Sequence, residues 1–416
     1  MGKELKVLML GGARVGKSSA LAAIMDSFIS GDISSLLTAS DETHLVKKDG
    51  EKQASINSKL QDIKSMLSEY NGKIKLVDSG QTNNIWDYRL DFFVPGSGET
   101  MSIVFTDING EFSKDEDPRY HDVIKLIKEY DVFIVAIDTP FMVESRKNEL
   151  VDSVINNKYN CINSIHTFLA QIDDNNGNDA KLVIFTPIKC EKWAQENKLD
   201  IVTNYVQEDY KTSLLALSKY KSVQIEILPI QTIGSVVFEE HREAYLFTYI
   251  KTILLLYKKE VTTKCALLSK DKIRLSDGSE TTPQSGKINI DPSAVMIDGT
   301  DILRPNSWFR VQSSEYKPHN CEQLAFHILE FMLSKAIDAK VRESENENIL
   351  IAGLKGLANF ALNLCTLGLW NKMKDIFGSI SVEKMSSIVN KMNEKNMIKR
   401  AGEGILILKK CNFKKP

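Results

Sequence analysis

The chain has 416 residues, of which 43% are hydrophobic and 26% charged, with a formal net charge of −2. That length allows two or three domains, and the composition is that of a globular protein with a sizeable core. A net charge so near zero excludes a global electrostatic pull toward nucleic acid or an anionic membrane, and leaves only local patches to consider.

The first element is the apolar run Lys6–Leu10, which reads as a strand. It leads into Gly11-Gly12-Ala13-Arg14-Val15-Gly16-Lys17-Ser18-Ser19, and then into Ala20–Ile24, which reads as a helix. Glycines at this spacing let successive N–H groups converge on an anion, so the segment predicts a nest for a phosphate chain. Lys17 would reach the β- and γ-phosphates as a point charge. Ser18 would place its hydroxyl on Mg²⁺, and the helix N-terminus would face the anion. Arg14, inside the loop, either acts on the nucleotide in cis or across a dimer, or stays solvated.

A polar insertion spans about residues 32–72, followed by Asp78-Ser79-Gly80-Gln81-Thr82. Strands are then expected at Tyr88–Val94 and Met101–Thr106. The second of these ends in Asp107-Ile108-Asn109-Gly110-Glu111. Asp107 is placed to hold a Mg²⁺-bound water, and the Gly110 N–H to bond a γ-phosphate, so hydrolysis would release the segment. Taken by itself, an Asp at a strand end is equally a turn former.

Further strands are expected at Asp131–Ile137, Leu182–Phe185 and Val223–Ile230. The first is continuously apolar, as a central parallel strand should be. Strands alternating with helical or polar stretches predict an α/β fold: a P-loop NTPase three-layer sandwich with a mostly parallel six-stranded sheet. Ligands of such sheets sit at the carboxyl ends of the strands. The fifth strand ends at Thr186-Pro187-Ile188-Lys189-Cys190-Glu191, and the sixth at Gln231-Thr232-Ile233-Gly234-Ser235.

The succession of phosphate loop, Asp-x-x-Gly and Lys-x-acid resembles the translation-factor-related and Ras-like GTPases. The resemblance implies Mg²⁺ and GTP or GDP as cofactors. It also implies that Lys189 lies along the guanine plane, while Glu191 accepts hydrogen bonds from the guanine N1–H and amino group. Two departures stand out: Ile188 replaces the family's Asn or Thr, and Glu191 is one methylene longer than Asp. Thr232 and Ile233 fall where the family places a second base-contacting loop. Thr82 is the residue best placed for the threonine that closes over Mg²⁺, with Thr38, Thr43 and Ser79 competing. Glu111 stands where the family often keeps a water-orienting Gln; its charge beside a γ-phosphate implies slow turnover.

More broadly, "SGQTNNIWDYRLDFFV", "FTDINGEF", "TPIKCEKW" and "YKPHNCEQLAFHILEFML" are similar to bacterial GTPase-like domains of the double-GTPase type, here with one phosphate loop. The likeness covers residues 1–339, with insertions at about 32–72 and 261–306. In that layout Trp308–Val311 completes the sheet and Cys321–Ala339 is the closing helix.

Residues 340–416 are expected to form a small, mainly helical domain. The stretch "ILIAGLKGLANFALNLCTLGLW" carries one charge in 22 residues. Lys355, Asn359, Asn363 and Thr366 make a polar stripe on it, which fits a buried or partner-facing helix better than a spanning one. Residues 381–416 hold nine Lys/Arg against three acids and resemble a small winged helix. A protein partner or homodimer through 340–416 is therefore favoured, ahead of nucleic acid or peripheral membrane contact. Six cysteines (Cys161, Cys190, Cys265, Cys321, Cys365, Cys411) lack Cys-x-x-Cys spacing. Reduced thiols in a cytoplasmic protein are expected, and the start of the chain shows no targeting signal. The sequence reads as a Mg²⁺-dependent, slowly hydrolysing GTPase switch. An ATP-using enzyme, a nucleotide-locked scaffold and a nucleic-acid-binding regulator remain the alternatives.

Overall fold

The computed structural model describes residues 5–30, 38–39, 44–47, 56–70, 74–76, 86–94, 99–113, 117–147, 153–172, 180–242, 266–269, 272–274, 280–281, 306–353 and 381–411. In chain order the elements are β1 (Leu5–Leu10), α1 (Lys17–Ser30), β2 (Thr38–Ala39), β3 (His44–Lys47), α2 (Ile56–Tyr70), β4 (Ile74–Leu76), β5 (Trp86–Val94), β6 (Glu99–Asp107), a 3₁₀ turn (Gly110–Ser113), α3 (Tyr120–Ile127), β7 (Val132–Asp138), α4 (Thr139–Glu144), α5 (Ser153–Asn160) and α6 (Ile162–Leu169). They continue with β8 (Lys181–Ile188), α7 (Glu191–Gln195), α8 (Leu199–Asp209), α9 (Lys211–Ser218), β9 (Val223–Ile227), β10 (Val236–Arg242), β11 (Ala266–Ser269), β12 (Lys272–Arg274) and β13 (Glu280–Thr281). The last are β14 (Asn306–Val311), α10 (Cys321–Gly353), α11 (Val382–Glu394), β15 (Ala401–Gly402) and β16 (Ile405–Lys409).

Among the described residues the main sheet runs β15-β16-β9-β8-β7-β1-β6-β5-β2, with β3 also on β5. The pairs from β9 through β8, β7 and β1 to β6 are all parallel. Both flanks are antiparallel, β5 on β6 and β16 on β9. Side-chain alternation explains the layers. Val7, Met9, Ile134 and Ile184 join one core with α1 and α10. Leu8, Leu10, Phe133, Val135, Val183 and Phe185 join a second core with α3, α6 and α8 on the opposite face. With both faces covered, every residue of β7 and β8 is buried, which is why those strands read as unbroken apolar runs. Burying each such side chain contributes roughly 1.5–3 kcal/mol, so the strand ends rest on a rigid platform.

Three features depart from the sequence expectation. The sheet is wider than six strands, because the short strands β2, β3, β15 and β16 add to its edges. Trp308–Val311 does not complete that sheet; β14 pairs instead with β10 and β4 in a separate three-stranded sheet. Helix α10 runs through the expected boundary at 339/340 without a break. Beyond it, Met385, Ile388, Met392, Met397, Ile398 and Ile405 enter the same core as α1, and β16 pairs with β9. The helix and hairpin read from residues 381–416 are thus present, but they are built onto the sheet's β9 edge. A short apolar run such as Ile405–Lys409 cannot specify its partner by pattern alone.

Of the apolar stretch 349–370, all beyond Gly353 lies outside the described residues, and no helix among those described is long and apolar enough to cross a membrane.

Candidate functional site

The glycine-rich loop 11–16 links the buried end of β1 to the first turn of α1, where the sequence reading places a phosphate chain. Gly16 has φ +108°, a backbone state that side chains rarely adopt, and the added Cβ of any other residue would meet Ile188 Cδ1 at 3.2 Å. The Lys17 ammonium, nearly buried, donates to the carbonyls of Gly11 (3.0 Å) and Gly12 (2.8 Å), so it already lies across the loop it would serve. Ser18 Oγ donates to Asp107 Oδ2 at 2.7 Å. Asp107 ends β6 directly beside Met9 of β1, so two residues 89 positions apart meet at the carboxyl edge of the sheet.

The Asp-x-x-Gly segment closes on the loop. A Cβ on Gly110 would stand 2.1 Å from Ala13 N and 2.2 Å from Gly12 C, so only glycine fits there. Glu111 follows within the 3₁₀ turn Gly110–Ser113; its side chain lies outside the described residues, as do Thr82, Thr43 and Ser79. Thr38 opens β2, opposite Phe93 of β5.

An open cleft of about 510 Å³, solvent space included, adjoins the loop. Its wall carries Arg14, Gly16 and Ser19 of the loop, together with Lys189, Glu191, Thr232 and Ile233 from two later strand ends. Those residues, drawn from three separate stretches of sequence, therefore share one cavity. Arg14, in left-handed backbone at φ +60°, is exposed at its rim.

Glu191 is the first residue of α7 and is 2% exposed. Its Oε1 accepts the N–H of Ile233 (3.2 Å) and of Gly234 (3.1 Å), which fixes the carboxylate against the Thr232–Gly234 loop. Burial raises its pKa above the ordinary 4.5, opposed by backbone N–H donors and by the charge of Lys189. The loop is itself pinned from behind: Lys317 donates its N–H to Ile233 O at 3.0 Å. Lys189 extends its ammonium to Asp138 Oδ2 at 2.5 Å, and the same nitrogen lies 5.8 Å from the centre of the Phe309 ring.

Ile188, Val236 and Phe309 supply the apolar lining. Phe309 and Val236 come from the separate small sheet, and no local signal in the sequence marks them as site residues. Asp138 was legible in principle, as an acidic residue at the end of an apolar strand, the same signal that marks Asp107.

Mg²⁺ keeps several waters and takes one or two protein oxygens besides phosphate, so the adjacent Ser18 hydroxyl and Asp107 carboxylate, both hard oxygens, fit it. No group of three or more His, Cys, Asp or Glu side chains suited to a metal occurs among the described residues.

Sheet, loop and cleft together define an α/β protein with a mostly parallel sheet, compatible with a P-loop-like sandwich. No protein-family model matches the sequence, and no match is found among curated proteins. Among solved structures the chain is similar to the GTPase-like domain of S. cerevisiae Ski7, solved bound to GTP, at 15% identity and a TM-score of 0.28. The alignment covers 63% of this chain and spans about half, 52%, of that one.

Proposed function

We propose that this chain is a guanine-nucleotide-binding switch that takes Mg²⁺ with GTP or GDP and hydrolyses GTP slowly. The observation that carries the reading is the shared cleft: the phosphate loop opens into a cavity whose wall holds a loop-anchored carboxylate, Glu191, beside Lys189. Guanine presents an N1–H and an amino group side by side, which a carboxylate accepts; adenine presents an acceptor at N1, which it repels.

In this reading Lys17 exchanges the carbonyls of Gly11 and Gly12 for β- and γ-phosphate oxygens, and the Gly110 N–H meets the γ-phosphate. Ser18 and Asp107 would hold Mg²⁺, with Thr82 closing over it; the ion neutralises phosphate charge when bound. The residues bind and position, which is most of what phosphoryl transfer asks of a protein. Glu111 in place of a neutral water-orienting side chain keeps turnover low. A protein partner or homodimer contact through residues 340–416 rests on the apolar stretch 349–370 and the basic end of the chain, since Met385, Ile388, Met392 and Ile405 are already committed to the core.

Titration with labelled GTP, GDP and ATP, with and without Mg²⁺, tests the reading. Preference for both guanine nucleotides is expected. Equal or tighter ATP binding would overturn it in favour of an ATP-using enzyme. A single-turnover assay then separates slow hydrolysis from a nucleotide-locked scaffold.

A further inference from the structure

We infer that Asp138 is a positioning residue for the base slot: it holds the Lys189 ammonium so that the lysine stem is laid along the cleft wall before a ligand arrives, and Asn160 holds Asp138. The inference rests on the cleft being a base slot, as proposed above.

Asp138 is the last residue of β7 and is wholly buried. Its Oδ2 takes the Lys189 ammonium at 2.5 Å, while Oδ1 accepts the Phe141 N–H at 3.4 Å as the N-cap of α4. The backbone of Asp138 is clamped as well. Its N–H donates to Asn160 Oδ1 at 2.6 Å, and Asn160 Nδ2 donates to Asp138 O at 3.3 Å.

Asn160, 1% exposed, is in turn tied along α5. Its Nδ2 also donates to Asn156 Oδ1 at 2.8 Å, and Asn156 Nδ2 donates to Asp209 Oδ2 at 2.8 Å. Asp209 pairs with Arg146 at 2.7 Å. The result is a continuous polar chain from the cleft wall to the partly exposed Arg146.

A buried carboxylate is costly unless it is paired and hydrogen-bonded, and Asp138 is both. A free lysine side chain would meet an ordering cost when a base settled on it. Anchoring its head beforehand removes that cost from the binding step. Lys189 also adopts left-handed backbone at φ +60°, in the two-residue link between the end of β8 and the start of α7. The amide of Asn160 suits its task because it accepts and donates at once, so both backbone groups of Asp138 are fixed without adding charge.

The test uses the full chain and two probes, GDP and inorganic tripolyphosphate, the second of which engages only the phosphate loop. Asp138→Asn should weaken GDP binding about tenfold, equivalent to about 1.4 kcal/mol, and leave tripolyphosphate binding within about twofold of the unsubstituted protein. Asn160→Ala, which touches neither Lys189 nor the cleft, should produce a smaller loss of the same selective kind. In a Lys189→Ala background Asp138→Asn should have no further effect.

Equal loss of both probes, or a full additional loss without Lys189, would overturn the inference. If Asp138→Asn does not fold, as judged by circular dichroism and melting, Asn160→Ala alone decides in the same way. An unsubstituted protein that binds GDP no tighter than tripolyphosphate would instead sink the base-slot reading itself, before any variant is compared.

Discussion

Glu191→Gln is the sharpest perturbation of the site, because the structure fixes which way the new amide must face. Oε1 of Glu191 accepts two backbone N–H groups, from Ile233 and Gly234 at 3.2 and 3.1 Å. In the variant the amide oxygen must stay there, since turning the amide would set an NH₂ group against those two donors. The amide nitrogen is then turned toward the cleft, where in the proposed reading guanine would present N1–H and its amino group, donor against donor. A carboxylate accepts at about four lone-pair sites; the amide leaves no acceptor on that side. Each charge-assisted hydrogen bond contributes about 1.5–3 kcal/mol, and unpaired buried donors add to the loss. The expected penalty for GTP and GDP is therefore about 2–3 kcal/mol, or roughly thirty- to 150-fold in Kd. Xanthosine nucleotides carry a carbonyl where guanine has its amino group, so they should gain. Fluorescence titration with labelled GDP and xanthosine diphosphate measures both effects, and a melting curve confirms that the variant folds. Equal GDP affinity in the two proteins would refute the assignment, leaving Lys189 and Glu191 as no more than the start of α7.

Three further outcomes follow from the same geometry. Lys17→Ala removes the ammonium that now bridges Gly11 and Gly12, and should lower triphosphate affinity at least about tenfold by calorimetry. Burial holds the Glu191 pKa above 4.5, so GDP affinity should rise with pH through that raised value as the acceptor ionises; the stability of the nucleotide-free protein moves oppositely, its Glu191 contribution being full below 4.5 and lost above it, and Glu191→Gln should flatten both profiles. Burial by itself would lower His327, but its hydrogen bond to Glu226 at 2.6 Å and the Lys399 carbonyl outweigh this and raise it above 6.5. That contribution is full below 6.5 and lost as pH rises through the raised value, so the protection of β16 amides against hydrogen exchange, taken relative to the unfolded chain's own rate at each pH, should fall as pH rises through that value, and Glu226→Gln should reduce the fall.

The strand–loop–helix unit at the start of the chain and the central strands were legible because their causes are local. A nest is built by consecutive residues, so the spacing of Gly11, Gly16, Lys17 and Ser18 suffices to announce it. A strand buried on both faces must be apolar at every position, so Val132–Ile137 declares itself without knowledge of its neighbours. The ends of those strands then pointed to Asp107, Lys189 and Glu191. The same rule, applied once more, marks Asp138.

Tertiary structure alone decided what faces the loop and what closes the sheet. Phe309 and Val236 line the cleft from a second sheet, and Phe309 sits there only because β14 pairs with β10 and β4. Ile405–Lys409, read as part of a hairpin in its own domain, became an edge strand of the main sheet through β9. The physical reason is the same in both cases. The amino-acid pattern of a strand specifies which face it buries, whereas its partner is chosen by the free edges and apolar surfaces that the rest of the chain presents once folded. Sequence therefore determined the glycine-rich loop and the strand ends beside it, and long-range pairing determined the walls that join them in one cleft.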